Sequence, residues 1–415
     1  MQKTPLANRL HIGVFGRRNV GKSSLINAIT NQQLSVVSDI PGTTTDPVYK
    51  SMEILPLGPV VVIDTAGIDD TGALGELRVK KTQEVIRKTD LAILVIDPVI
   101  GLENYEKNLL KKLKQSKTPV VAAINKIDLV TQDELASIKS EIMSSLDGIK
   151  VVCVSAKKGK GIEELREVIT REAPADYEQP FIIGDLIKPG DVVVLVTPID
   201  LAAPKGRLIL PQVQTIRDVL DHDGIAIICK ERELKLTLRN LKNKPRIVVT
   251  DSQAFTKVDA DVPEDVLMTS FSILFARYKG DLETFLKGAR KLEQLKPGDK
   301  ILIAEACTHR RTADDIGTVK IPRWLRLKVG NDLHFDYVSG REYPDNLSQY
   351  DLILHCGGCM TNRKEMLSRL YEAEKAGVPI INYGMAIAQL HGILDRALKP
   401  FPEIHEMWVQ TRAVG

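Results

Sequence analysis

The chain has few cysteines and no apolar run long enough to cross a membrane. Only five Cys occur among 415 residues, which is an odd number and too few for a disulfide framework. The longest apolar runs, 192–196, 225–229 and 91–96, have the length of β-strands and fall far short of the roughly 20 residues that a membrane-spanning helix needs. We therefore expect no membrane partner. We also expect the cysteines to be free thiols that serve in the core, in catalysis or in metal binding.

The sequence also lacks an excess of charge of either sign. Lys and Arg number 57 against 54 Asp and Glu, a formal net charge of +3 in a chain with 27% charged residues. Such a mixed surface does not favour a nucleic-acid partner. The first residues, MQKTPLANRLHIGVFG, carry neither the apolar core nor the small-residue cleavage site of a secretory signal, so we expect a reducing, cytoplasmic location.

Strand-like apolar runs alternate with amphipathic helical stretches along the whole chain, the pattern of α/β proteins with largely parallel sheets. At roughly 100–200 residues per domain, the length suggests two to four domains. The stretch PADYEQPF resembles a linker after a first set of elements, and DADVPEDV precedes a third set. We predict three consecutive α/β domains over 1–173, 174–265 and 266–415.

A phosphate-binding pattern follows the first apolar run. Residues 16–23 read GRRNVGKS, the G-x-x-x-x-G-K-S motif between a strand and a helix. Glycines let backbone N–H groups converge on phosphate, Lys22 supplies charge to the β- and γ-phosphates, and Ser23 gives its hydroxyl to Mg²⁺. We assign nucleotide binding in this segment to Gly16, Asn19, Val20, Gly21, Lys22, Ser23 and Ser24.

Three further motifs predict guanine specificity and a Mg²⁺ site. The carboxylate of Asp128 in Asn125-Lys126-Ile127-Asp128 can accept from both guanine N1–H and the exocyclic amine, a pair of donors that adenine lacks. Asp64, in DTAG, is placed for the Mg²⁺ shell, and the amide of Gly67 for the γ-phosphate. The remaining predicted contacts to the base come from Asn125, Lys126, Ser155, Ala156 and Lys157.

In their order, these motifs make the first 170 residues or so resemble the small regulatory GTPases. That resemblance implies that PGTTTDP is the first switch, with Thr44 as the Mg²⁺-coordinating hydroxyl and Thr43 or Thr45 as alternatives. The residue after Gly67 is Ile68, which cannot orient the attacking water, so we expect slow turnover. The predicted catalytic set is Lys22, Ser23, Thr44, Asp64 and Gly67.

Asn19 resembles the Asn that binds K⁺ in potassium-activated GTPases of the Era and MnmE type, where the cation replaces an arginine finger. The resemblance implies that K⁺ stimulates hydrolysis more than Na⁺ does. The alternative is a solvated loop Asn without a ligand.

Three of the five cysteines form a compact constellation with two histidines. Cys153 and Cys229 lie inside apolar runs and are expected to act as small hydrophobes. Cys307-Thr-His309 and His355-Cys356-Gly-Gly-Cys359 each follow a predicted strand, so neighbouring strands would make the thiols converge at one sheet edge. Residue types leave a 4Fe-4S cluster and a Cys₃His zinc site both open. A helix starting after Thr361 or Asn362 would aim its positive end near Cys359, which would lower the pKa of that thiol and favour an anionic cluster.

A potassium-type GTPase domain followed by C-x-H and H-C-x-x-C resembles the HydF family of FeFe-hydrogenase maturation GTPases over the whole chain. The resemblance implies a dimerisation domain in the middle and a 4Fe-4S cluster on Cys307, Cys356 and Cys359, with an exchangeable fourth position. His309 and His355 would then be weak ligands or hydrogen-bond donors. It further implies a homodimer that takes up a di-iron precursor with the help of radical-SAM maturases and delivers it to the apo-FeFe-hydrogenase.

Two other functions remain open. One is an RNA-associated GTPase of the Era or MnmE lineage whose three cysteines bind structural Zn²⁺. Against it, the C-terminal half has no G-x-x-G clamp after a helix and no arginine-rich stripe. The other is a protein scaffold in which the GTPase switches binding and the thiols are incidental.

Overall fold

The α/β class predicted from the sequence is confirmed. The computed structural model describes residues 6–30, 47–65, 73–146, 148–174, 180–198, 208–306, 315–340, 343–344 and 346–413. The chain divides into two compact units, Met1–Glu178 and Gln179–Gly415. Within the described ranges, no helix combines the length and the apolar character that crossing a bilayer requires.

The first unit is built on one six-stranded sheet. Its strands are β1 (Leu10–Phe15), β2 (Val48–Ile54), β3 (Gly58–Asp64), β4 (Leu91–Ile96), β5 (Val120–Ile124) and β6 (Lys150–Cys153). They lie in the order β2-β3-β1-β4-β5-β6, with β2 antiparallel to β3 and every other pair parallel. The helices are α1 (Lys22–Thr30), α2 (Ala73–Lys88), α3 (Asn104–Gln115), α4 (Gln132–Ser145) and α5 (Ile162–Glu172).

Buried side chains explain why the inner strands are continuous apolar runs. All residues of β1, β4 and β5 are buried, as expected for parallel strands covered on both faces. One core cluster lies on each face of the sheet. The segments that follow β1, β3, β5 and β6 carry the predicted nucleotide-binding motifs.

The second unit contains two parallel sheets of four strands. The first consists of β7 (Val192–Val196), β8 (Ile225–Cys229), β9 (Ile247–Thr250) and β10 (Leu267–Ser270), and the second of β11 (Lys300–Glu305), β12 (His334–Ser339), β13 (Leu352–His355) and β14 (Ile380–Asn382). Their orders are β10-β9-β7-β8 and β12-β11-β13-β14. Every strand pair in both is parallel.

Ten helices are described around these sheets. They are α6 (Leu210–Asp221), α7 (Leu234–Asn240), α8 (Phe255–Asp261), α9 (Phe271–Lys279), α10 (Leu282–Glu293), α11 (Ile321–Val329), α12 (Arg363–Lys375), α13 (Tyr383–Leu390), α14 (Leu394–Leu398) and α15 (Pro402–Ala413). One hydrophobic cluster runs from Ile182 to Trp408 and joins both sheets. Helix α9 contacts α6 as well as α12 and α13. The division of this region into two domains stays a prediction.

Candidate functional site

The phosphate-loop motif lies between β1 and α1, in the strand–loop–helix context that the sequence predicts. Gly16, Asn19 and Gly21 adopt positive φ angles of 148°, 60° and 91°. At Gly21 a Cβ atom would lie 2.3 Å from Nδ2 of Asn125, so a side chain is excluded there by space as well as by conformation. The loop therefore has the curled backbone on which phosphate binding depends.

Two of the predicted magnesium-site residues meet directly. Oγ of Ser23, in the first turn of α1, donates to Oδ2 of Asp64, at the end of β3, across 2.7 Å. Nζ of the buried Lys22 donates to the carbonyl oxygens of Gly16 and Arg17 at 2.8 and 2.6 Å. The hydroxyl and carboxylate expected around Mg²⁺ are thus brought together. Thr44 and its alternatives Thr43 and Thr45 lie outside the described residues, as do Gly67 and Ile68.

Asn125 connects the loops of the predicted nucleotide site. It is 2% exposed; its Nδ2 donates to the carbonyl of Val20 at 2.9 Å, and its Oδ1 accepts from the amide of Ala156 at 3.0 Å. Because both ends of the amide are used, Asn125 braces the loops against each other. Asp128, whose Oδ1 accepts from Ser155 Oγ at 2.6 Å, is the carboxylate available to the base. That hydrogen bond from Ser155 lowers the pKa of Asp128.

Two supporting contacts of the nucleotide site were not found from the sequence. Lys126, at φ 63°, pairs its Nζ with Oδ2 of Asp97 across 2.8 Å. Arg17 of the phosphate loop donates from Nε to Oε1 of Glu106 at 2.8 Å and pairs with Glu103 at 2.7 Å. These two Glu cap the start of α3, so the loop is tied to that helix. The spacing E-x-x-E at a helix start is the signal that could have indicated this capping.

The strands that precede the two cysteine motifs are neighbours, as the convergence of the thiols requires. Strand β11 pairs with β13 in a register that aligns Ala304 with His355. Beyond the ladder, the amide of Cys356 donates to the carbonyl of Ala304 at 2.9 Å, and the amide of Ala306 donates to Sγ of Cys356 at 3.1 Å. Cys307 and His309 follow directly but lie outside the described residues. We call residues 355–361 the HCGGC loop.

The thiol of Cys356 is partly buried and packs against the hydrophobic core of the second unit. Burial raises its pKa, and the amides of Ala306 and Gly358 oppose that shift by hydrogen bonding to sulfur. The expectation that the following helix lowers the pKa of the Cys359 thiol stays a prediction. The helix itself begins as predicted, with Asn362 as N-cap accepting from the amide of Glu365 at 3.0 Å. No cluster of three His, Cys, Asp or Glu suited to a metal ion occurs in the described part, which includes Cys359 and omits Cys307.

His355 is the first residue of the HCGGC loop, and its side chain contacts no solvent. Its Nδ1 is 2.6 Å from the carbonyl of Cys356, and its Nε2 is 3.2 Å from NH1 of Arg369. Because a guanidinium can only donate, Nε2 accepts and Nδ1 carries the proton that is donated to Cys356. Burial, with the nearby Arg369 charge, lowers the pKa of His355 to about 3. Of the two roles left open by the sequence, this geometry favours the hydrogen-bond donor.

Family models match three consecutive parts of the chain. Residues 11–126 match the model described as "50S ribosome-binding GTPase". Residues 182–280 match the "Hydrogen maturase F dimerization domain", and residues 283–400 match the "Hydrogen maturase F tetramerization domain". The two latter models together span more than half of the chain.

Two curated relatives each match less than half of the chain. The tRNA modification GTPase MnmE of Acetivibrio thermocellus is 39% identical over 158 residues, which are 38% of this chain and 33% of that protein. GTPase Era of Clostridium acetobutylicum is 31% identical over 192 residues, 43% of this chain and 64% of Era. The chain thus spans about a third of the MnmE relative and under two thirds of Era.

Among solved structures, Aquifex aeolicus Era bound to GDP and aluminium fluoride is 22% identical at a TM-score of 0.37. The match covers 58% of this chain and 91% of that one.

Proposed function

The chain belongs to the HydF family of hydrogenase maturation GTPases, and on that premise we propose that it is a GTP hydrolase and an iron–sulfur scaffold of the cytoplasm. In this proposal it holds a di-iron precursor of the FeFe-hydrogenase active site on a 4Fe-4S cluster and delivers it to the apo-hydrogenase. Radical-SAM maturases are the proposed source of the precursor.

The nucleotide part of the proposal depends on the geometry of the first unit. Ser23 and Asp64 meet where Mg²⁺ is expected, and Asp128 presents a carboxylate on the side of the base. Asn19, exposed and at φ 60°, is the proposed K⁺ contact. Hydrolysis would be slow, because the motif supplies Ile68 where a water-orienting side chain is needed.

The observation that carries the cluster proposal is the hydrogen bond from Ala306 to Sγ of Cys356. The next residue in the chain is Cys307, so covalent geometry ties the first cysteine motif to the second. Sulfur that accepts amide hydrogen bonds, inside a loop with a second cysteine at Cys359, fits the donor set of a 4Fe-4S cluster. Cys307, Cys356 and Cys359 would hold it through three thiolates.

The chain's own residues would leave one iron position exchangeable. When bound, a cluster with three protein thiolates supplies an iron whose fourth ligand can be replaced by a group from the di-iron cargo. His355 does not compete for that position in the observed arrangement, since Arg369 contacts its Nε2. The protein therefore fixes the thiolates and leaves the exchange site to the cargo or to His309.

The middle sheet offers a surface for the proposed homodimer. Strand β8 is an edge strand that pairs, within the described residues, with β7 alone. Its sequence is IAIIC, and Ile225 and Ile228 are 50% and 47% exposed. An apolar edge with free backbone groups is unfavourable in water, and pairing with the same strand of a second copy would cover it. The match of this region to a dimerization domain supports that occupant.

The decisive experiment is anaerobic reconstitution with iron and sulfide, followed by metal analysis and EPR of the dithionite-reduced protein. We expect a reduced 4Fe-4S signal that is lost when Cys307, Cys356 or Cys359 is replaced by Ser. Cys153→Ser and Cys229→Ser are the matched controls, since these thiols lie in strands β6 and β8, and both should keep the signal. Stoichiometric Zn²⁺ without an iron signal would instead support the RNA-associated GTPase.

A further inference from the structure

A buried lysine lies under the HCGGC loop. Lys279 is the last residue of α9 and is 1% exposed. Its Nζ donates to three main-chain carbonyls of the loop: Gly358 at 3.2 Å, Cys359 at 2.9 Å and Thr361 at 2.8 Å. Because an ammonium has three N–H donors and no acceptor, every donor is used on this loop. The contacts join residues about 80 positions apart in sequence.

Among the residues that the structure describes, no carboxylate forms an ion pair with Lys279. A fully buried lysine is normally paired, yet Glu365, the carboxylate among its charged neighbours, is in an ion pair with Arg369 at 3.5 Å. The other groups that favour its charged form are the thiols of Cys359 and Cys356. Burial lowers the pKa of Lys279 to about 8, but the three carbonyl oxygens around Nζ need three N–H donors, which only the ammonium form has. The ring of Phe275 lies 5.8 Å from Nζ and contributes a further attraction.

Helix α9 fixes the lysine independently of the loop. Ser270 caps its N-terminus by accepting from the amide of Ile273 at 3.2 Å. Two residues before Lys279, Arg277 pairs with Asp185 at 2.7 Å and donates to the carbonyl of Ile182 at 2.8 Å. The helix is therefore anchored at its start and along its length, and it presents Nζ at a fixed point.

We propose that Lys279 is a positioning residue for the cluster: it holds the backbone of the HCGGC loop in its ligating conformation and supplies a fixed positive charge beside the thiolates. This inference rests on the proposed function, in which Cys356 and Cys359 bind a 4Fe-4S cluster. Reduction adds an electron to an already anionic site, and a nearby cation stabilises the more negative form. Lys279 therefore raises the reduction potential of the cluster.

Two measurements on three variants test the proposal. Lys279→Arg keeps the charge, Lys279→Gln keeps two donors without the charge, and Lys279→Met keeps neither. The first measurement is the cluster potential in an EPR-monitored titration, and the second is hydrogen exchange of the 355–361 amides in the metal-free full-length protein. Lys291→Gln is the matched control, because it removes one cation that pairs with Asp299 at the start of β11, the opposite end of the strand from the cysteine motif.

We expect Lys279→Gln and Lys279→Met to lower the cluster potential and to speed amide exchange of the loop, with the larger acceleration in Met. Lys279→Arg should keep a potential closer to that of the wild type, and Lys291→Gln should leave both readouts unchanged. The proposal would be overturned if Lys279→Gln and Lys279→Met both kept the wild-type cluster potential and the wild-type amide exchange. It would also be overturned if Lys279→Arg had the same cluster potential as Lys279→Met. If the Lys279→Met variant holds no cluster, hydrogen exchange of the 355–361 amides in its metal-free form tests the proposal. A wild type that assembles no cluster would instead refute the proposed function.

Discussion

The backbone amide of Ala306 lies 3.1 Å from Sγ of Cys356, fifty residues further along the chain. The contact exists because β11 and β13 are adjacent and parallel, so that both cysteine motifs leave the sheet at the same edge. It joins the covalent neighbour of Cys307 to the second motif. The geometry thereby gives a physical basis for the proposed three-thiolate site.

The first prediction concerns the cation that assists hydrolysis. GTP turnover should be at least about tenfold faster in KCl than in NaCl at equal ionic strength, because K⁺ held by Asn19 would offset the charge that develops on the phosphates. Asn19→Gly should abolish the difference, since glycine tolerates the φ of 60° without strain while removing the carboxamide. Phosphate release measured in both salts checks this. Equal wild-type rates would leave Asn19 as a solvated loop residue.

The second prediction concerns the base. Asp128→Asn should weaken GTP binding by roughly 10- to 100-fold, because a charge-assisted pair of hydrogen bonds to guanine is lost. Xanthine carries a carbonyl where guanine carries the amine, so the new amide can donate to it and XTP binding should improve. Calorimetric titration with both nucleotides measures the exchange of specificity. Asp133→Asn, on an exposed carboxylate of α4, is the control, and a GTP affinity equal in both variants would remove Asp128 from the base site.

The sequence predicts the parts of this fold that carry local signals. Strands β4 and β13 are apolar runs, and α10 has the helical period, so their positions follow from patterning alone. Strands β2 and β12 were missed because they are edge strands whose exposed positions include polar groups such as Glu53 and His334. The cysteine constellation was visible from its spacing. The lysine under the HCGGC loop was not, because nothing near Lys279 in sequence indicates a contact with Cys359.

The third prediction concerns assembly through the edge of the middle sheet. Ile228→Lys should raise the dimer dissociation constant by roughly 100-fold or more, because two like charges would face each other across paired β8 strands. Sedimentation equilibrium measures the mass. Val99→Lys, at a position 72% exposed in the first unit, is the matched control. An unchanged mass for Ile228→Lys would mean that another surface makes the dimer.

The fourth prediction concerns pH. Burial lowers the pKa of His11 to about 4, whereas its ordinary value is 6.5. Between these values the unfolded chain binds up to one more proton than the folded one. The free energy of unfolding therefore rises with pH, and the contribution of neutral His11 to it is complete above pH 6.5. This contribution of His11 is lost as the pH falls toward 4, and the free energy of unfolding then decreases by at most about 1.4 kcal/mol per pH unit.

Hydrogen exchange of β1, corrected for the intrinsic pH dependence of exchange, measures this loss between pH 7 and 5. His11→Gln should reduce the slope, and His334→Gln, on an exposed side chain of β12, should not. A slope unaffected by His11→Gln would show that other groups control acid sensitivity in the first unit.

The fifth prediction separates the nucleotide chemistry from cluster assembly. Lys22→Ala should slow GTP hydrolysis by about 100-fold or more, because a fixed cation at the phosphates is lost. The cysteine motifs belong to the other compact unit, so iron and sulfide content and the EPR signal after reconstitution should equal those of the wild type. Lys111→Ala, an exposed lysine on α3, should preserve both properties. A folded Lys22→Ala protein that assembled no cluster would contradict this independence and would make nucleotide binding a condition for cluster assembly.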